Sequence, residues 1–91
     1  MKPVKSDTKL PVMMRPTRGM SFSDYDDNFT NYLFNPYELL LVLKIEFAFG
    51  DVVDDRVRVT FLRENGKVHR CGWNTRDGTL MDVELVQCIR G

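Results

Sequence analysis

A chain of 91 residues leaves room for one domain, and a composition of 43% apolar and 29% charged residues is typical of a globular protein. No run reaches the ~18 apolar residues of a membrane span, and no apolar segment follows the positive N-terminus, so a cytoplasmic protein is expected. The net charge is zero but unevenly spread, at +4 over residues 1–20, −7 over residues 21–55 and +3 over residues 56–91.

Residues 1–20 are predicted to form an extended, basic N-terminal arm. Three prolines lie in it, and each removes a backbone donor and favours extended geometry in the residue before it. Leu10, Val12 and Met14 alternate along the chain, so part of the arm is expected to dock as an edge strand. The prolines are Pro3, Pro11 and Pro16.

Residues 21–34 are predicted to form a helix. Ser23 suits the N-cap position, and three acids follow it in the first turn, where the helix dipole favours negative charge. Apolar residues then recur at spacings of three, four and seven, and Asn35-Pro36 ends the pattern. The acids are Asp24, Asp26 and Asp27, and the apolar residues are Phe22, Phe29 and Leu33, with Tyr25 and Tyr32 beside them.

The remaining chain predicts a small antiparallel sheet. Alternating apolar residues indicate strands at 37–49, 56–63, 67–73 and 80–89, with a short turn followed by a strand as the alternative for the last segment. A short helix over residues 36–42 is an alternative for the start of the first of these strands. Residues 21–91 are therefore predicted to be a single α+β domain. Its sheet, or a partly open SH3-like barrel, would have four to five strands and one N-terminal helix.

The turn Glu64-Asn65-Gly66-Lys67 sets the register of one hairpin. A three-residue loop with Gly66 in the left-handed region brings apolar residues opposite one another, whereas a two-residue loop pairs Phe61 with Arg70. The register of the three-residue loop is therefore predicted. It pairs Phe61 with His69, Val59 with Cys71, Val57 with Trp73 and Leu62 with Val68.

This register turns the residues that could carry chemistry toward the core. His69 is the only histidine, and its spacing from Cys71 and Cys88 matches no standard zinc site. The two cysteines are interpreted as reduced, buried thiols, with a disulfide as the alternative. Trp73 is interpreted as a core residue, with stacking on a base or a peptide proline as the alternative. No catalytic residue, metal site or cofactor is predicted.

The first functional hypothesis is a non-catalytic adaptor or inhibitor that contacts a basic partner protein through an acidic patch. The alternative for these acids is an ordinary solvated surface. The turn acids could in principle hold calcium, but they lack the spacing of a calcium-binding loop. The patch would combine Asp24, Asp26, Asp27, Asp51, Asp54 and Asp55.

The second hypothesis is a nucleic-acid-binding module that uses the outward face of the hairpin and the N-terminal arm. A third is a homo-oligomeric structural protein, such as a dimer, because the arm and the middle segment carry opposite charge. The size and lack of motifs are also typical of small phage accessory proteins. The basic residues of the second hypothesis are Arg15, Arg18, Arg56, Arg58, Lys67, Arg70 and Arg76.

Overall fold

The described part of the chain is built mainly of strands. A computed structural model describes residues 3–5, 7–35, 37–47 and 56–88. A single 3-10 turn, Tyr25–Asp27, is the helical element of these residues. The strands are β1 (Val12–Pro16), β2 (Ser21–Asp24), β3 (Thr30–Leu33), β4 (Leu40–Phe47), β5 (Arg56–Leu62), β6 (Val68–Arg76), β7 (Thr79–Leu80) and β8 (Val83–Cys88).

Six of these strands form a nearly closed barrel. Their order is β7-β6-β5-β4-β1-β8, and β2 and β3 form a separate hairpin. The edge strands β7 and β8 are joined only by Met81 and Asp82. Five strand spacings would put the edges of a flat sheet about 24 Å apart, whereas a two-residue link reaches about 10 Å. The sheet must therefore curl until its edges approach each other.

The register predicted for the β5–β6 hairpin is confirmed. Gly66 has a φ of 84°, in the left-handed region that the three-residue loop requires. The Arg63 N–H donates to the Lys67 carbonyl at 2.9 Å and closes that loop. The pairs are Phe61–His69, Val59–Cys71, Val57–Trp73 and Leu62–Val68. The predicted core roles of His69, Cys71 and Trp73 are also confirmed, because all three side chains are buried.

The predicted helix over residues 21–34 is wrong, and with it the α+β class. The segment is a hairpin in which β2 buries alternate residues and the chain reverses at Asn28 and Phe29, both in the left-handed region. The helical spacing of Phe29 and Leu33 was coincidental, because both side chains are exposed, at 64% and 73%. Asp24 caps only the 3-10 turn, where it accepts a hydrogen bond from the Asp26 N–H at 2.8 Å.

The N-terminal arm is also different from the prediction. β1 is not an edge strand, because it pairs with β4 on one side and with β8 on the other. Val12, Met14 and Pro16 are buried, so the strand supplies interior side chains as well as backbone hydrogen bonds. The segment is held in the sheet because these side chains are buried and its backbone pairs with a strand on each side.

The short helix considered for residues 36–42 does not form from Leu40 onward, where the chain belongs to β4. Leu40 and Val42 are fully buried and pair with Met14 and Val12, so tertiary contacts decide for the strand. The last predicted strand is divided into β7 and β8 by the Met81–Asp82 turn. Pro36 and Ile89 lie outside the described residues.

No helix in the part of the chain that the structure describes is both long enough and apolar enough to cross a membrane.

Candidate functional site

The β2–β3 hairpin closes over the free edge of β6. β5 pairs with one edge of β6, and β7 covers the other edge only at Thr75 and Arg76. The carboxylate of Asp24 covers part of the β6 edge that β7 leaves open, and its Oδ1 lies 3.5 Å from the backbone N of Arg70. A strand edge that would otherwise be open is thus partly covered by a side chain from the hairpin.

A buried Asp24–His69 pair fastens the hairpin to β6. Asp24 Oδ2 lies 2.7 Å from His69 Nδ1, and the two side chains are 5% and 4% exposed. Burial alone would raise the pKa of Asp24, but hydrogen bonds from His69 and from the Asp26 and Arg70 N–H groups outweigh it and lower the pKa. The pair therefore holds a carboxylate in its charged form inside the protein.

Aromatic rings enclose the histidine of this pair. The ring centroids of Phe22, Tyr32 and Phe61 lie 5.1, 4.8 and 5.9 Å from that of His69. His69 Nε2 is buried and has no hydrogen-bond partner among the described residues. The imidazole is therefore placed to pack and to orient Asp24.

A buried ion pair fixes the other end of the hairpin. Arg63 donates to Glu38 through Nε and Nη2, both at 2.7 Å, and the two side chains are 8% and 3% exposed. Arg63 Nη2 also donates to the Leu33 carbonyl at 3.1 Å. Its guanidinium carbon lies 5.7 Å from the ring centroids of Phe22 and Phe34. The hydrogen bonds from Arg63 lower the pKa of Glu38 despite its burial.

The acidic turn and the basic sheet face, predicted as separate surfaces, meet each other. Arg70 Nη2 donates to Asp26 Oδ1 at 2.7 Å, and the Arg58 guanidinium carbon lies 5.2 Å from the Tyr25 ring centroid. A Cβ added at Gly72 would lie 2.5 Å from the Tyr25 hydroxyl oxygen, so glycine permits this close approach. Opposite charges therefore partly neutralise each other here.

Three of the six predicted acidic residues lie in the described part of the chain. Asp24 is buried, Asp26 pairs with Arg70, and Asp27 accepts a hydrogen bond from the Tyr32 hydroxyl. The remaining three acids, Asp51, Asp54 and Asp55, lie outside the described residues.

The predicted basic residues are spread around the barrel. Arg15 pairs with Glu84, and Arg18 Nη2 pairs with Asp82 Oδ2 at 3.0 Å. Lys67 and Arg76 are exposed, near opposite ends of β6. Arg58 and Arg70 engage the 3-10 turn, and Arg56 is exposed at the start of β5.

A cleft of about 470 Å³ lies between the hairpin and β6, within the size range of ligand sites. Aromatic, polar and basic side chains line it, together with the Arg18–Asp82 ion pair. The aromatic residues include Phe22, Phe34 and Trp73, and the other lining residues include Ser21, Ser23, Asn31, Arg56, Gly72 and Asn74.

Sequence reasoning missed this cleft and both buried side-chain pairs. Asp24 and His69 are 45 residues apart, and Glu38 and Arg63 are 25 apart, so no local spacing connects them. The confirmed inward facing of His69 was the one available signal, because a buried imidazole needs a polar partner.

The thiol of Cys71 is 1% exposed, and burial raises its pKa to about 12. Such a thiol is a poor nucleophile and metal ligand. The side chain of Cys88 lies outside the described part of the structure. Within the described ranges, no group of three or more His, Cys, Asp or Glu side chains is arranged to hold a metal ion.

No family model, curated protein or solved structure matches this chain.

Proposed function

We propose that this protein is a small, non-catalytic binding domain, an adaptor or inhibitor, that recognises another protein through the cleft between the β2–β3 hairpin and β6. The observation that carries the proposal is the cleft itself, whose lining combines the aromatic side chains of Phe22, Phe34 and Trp73 with polar and charged residues. A concave site of this size with convergent polar groups is a usual setting for the recognition of a ligand.

Two buried side-chain pairs support the proposal because they hold one wall of the cleft in place. Asp24–His69 ties the hairpin to β6, and Arg63, which is paired with Glu38, ties the Leu33 carbonyl of the hairpin to the turn after β5. A hairpin fixed in this way loses little conformational entropy when a partner binds, which favours affinity.

The charge distribution favours a protein partner over nucleic acid. Arg58 and Arg70 are engaged by Tyr25 and Asp26, so the basic face offers fewer cations for phosphate contacts. A contact through the acidic patch stays a prediction, because its remaining acids are Asp51, Asp54 and Asp55, outside the described residues.

The proposal is tested by capture of the partner from nuclease-treated extract of the source cells, identified by mass spectrometry. The cleft variant is Ser23→Trp, which adds bulk at the cleft wall. The control is Leu43→Trp, which adds an indole at an exposed position of β4, away from the cleft. Circular dichroism and thermal unfolding establish that both variants fold.

The expected result is a specific protein that binds the wild type and the Leu43→Trp variant and is lost with Ser23→Trp. Equal capture by both variants would refute the cleft as the contact. A partner that is captured from untreated extract but not from nuclease-treated extract would favour the nucleic-acid hypothesis instead.

A further inference from the structure

We infer that the partner enters the cleft as an extended segment that adds a strand to the edge of β2 and places an acidic side chain against Arg56. This inference rests on the proposed function and specifies the chemistry of the bound segment. Strand addition to an open sheet edge is an established mode of peptide recognition, in which the backbone supplies affinity and individual side chains supply selectivity.

The first support is the direction of the β2 backbone groups. The Phe34 N–H donates to the Met20 carbonyl at 2.9 Å, which makes these two residues a hydrogen-bonded pair. Such pairs recur every second residue in an antiparallel ladder, so the next one is Phe22–Tyr32. Ser21 and Ser23 therefore direct their N–H and C=O groups away from β3, toward the side on which the cleft lies.

An independent contact agrees with this alternation. Leu33 is the register partner of Ser21, so its carbonyl should also point out of the hairpin. It does, because it accepts a hydrogen bond from Arg63 Nη2 at 3.1 Å. Ser21 and Ser23 both line the cleft, and β2 pairs only with β3 within the described residues. The β2 edge thus offers two residues whose backbone groups an added strand could pair with.

The opposite wall of the cleft is also a strand edge. The Arg63–Lys67 hydrogen bond sets the alternation in the β5–β6 ladder, and Gly72 consequently points its N–H and C=O away from β5. Two neighbouring contacts confirm this direction: the Arg70 N–H faces Asp24, and the Asn74 carbonyl accepts from the Met81 N–H at 3.0 Å. The cleft therefore lies between two edges rather than between two closed surfaces.

The charge of the cleft favours an acidic segment. Its cations are Arg18 and Arg56, and its acid is Asp82. Arg18 is already paired with Asp82 at 3.0 Å, whereas Arg56 forms no ion pair with any other described residue. A carboxylate on the bound segment can accept two parallel hydrogen bonds from the Arg56 guanidinium, which is the strong form of this interaction.

The experiment uses a displayed library of random linear peptides selected against the full chain, followed by binding measurements on the synthetic consensus peptide. Arg56→Gln is the test variant. Arg76→Gln is the matched control, because Arg76 is an exposed arginine of β6 that does not line the cleft. N-methylation of the peptide backbone, one residue at a time, reports on strand pairing, and amide hydrogen exchange reports on Ser21 and Ser23.

We expect an acidic residue in the enriched peptides and a loss of about tenfold in affinity for Arg56→Gln, with Arg76→Gln unchanged. N-methylation should weaken binding at alternate peptide positions, and the peptide should slow hydrogen exchange of the Ser21 and Ser23 amides. Peptides that bind without an acid and equally to Arg56→Gln, or that tolerate N-methylation everywhere, would overturn the inference.

Failure of this inference can be separated from failure of the proposed function. If the natural partner is captured in a Ser23-dependent way but peptides do not protect Ser21 and Ser23, the cleft binds a protein by another mode and only the inference is refuted. If capture is independent of Ser23, the proposed function itself is refuted.

Discussion

Replacement of Arg63 by methionine removes one half of the buried Glu38–Arg63 pair and keeps most of the aliphatic stem. Both partners are almost inaccessible, at 8% and 3%, so the Glu38 carboxylate would lose two hydrogen bonds without gaining water. Breaking a buried pair in this way costs about 3–5 kcal/mol. A domain of this length has a total stability of roughly 5–14 kcal/mol, so Arg63→Met should remove a large fraction of it.

Urea unfolding followed by the fluorescence of Trp73 measures this loss directly, because Trp73 is the single tryptophan and is buried. The series comprises Arg63→Met, Glu38→Gln and the double variant. The double variant should be less destabilised than the sum of the single variants, because the unpaired charge is then gone. A loss below about 1 kcal/mol for Arg63→Met would refute the pairing and place it among exposed ion pairs.

The same pair predicts how stability depends on pH. The pKa of Glu38 is lowered in the folded state, as is that of Asp24. Their contribution is fully present above the ordinary carboxyl pKa of about 4 and is lost as pH falls through the lower folded values. Wild-type stability should therefore fall on acidification below about pH 5, and less steeply in Glu38→Gln; parallel curves for the two proteins would contradict this assignment.

Three further outcomes are expected. Gly66→Ala should cost about 1–2 kcal/mol in urea unfolding, because φ is 84° there while the space for a Cβ is open; no loss would contradict the left-handed turn. Gly72→Ala should displace the Tyr25 ring and cost about 1–3 kcal/mol, seen as a shift of the Tyr25 ring resonances by NMR; unchanged resonances would contradict the close approach. Cys71 should resist iodoacetamide at pH 8 in the native state and react in denaturant, because its pKa is raised to about 12. Peptide-resolved mass spectrometry separates Cys71 from Cys88, and fast native labelling of Cys71 would contradict its burial.

Long-range contacts explain why the helix predicted for residues 21–34 does not form. Phe22, Phe29 and Leu33 have helical spacing, but only Phe22 is buried. Asp24 was expected to lie in the first turn of a helix, and instead its carboxylate contacts His69 and Arg70. Local sequence patterns indicate which secondary structures a short segment can adopt. The choice among them depends here on contacts with residues distant in sequence, which such patterns do not contain.

The β5–β6 hairpin was determined by its own sequence. Its strands alternate apolar residues, and its turn has glycine at the left-handed position. Only one register then places apolar residues opposite one another, and the residues that determine it are close together in the sequence. Tertiary structure decided the interior place of β1 in the sheet, the buried side-chain pairs that hold the β2–β3 hairpin, and the cleft between that hairpin and β6. Each of these joins residues far apart in the chain, and only closure of the barrel brings them together.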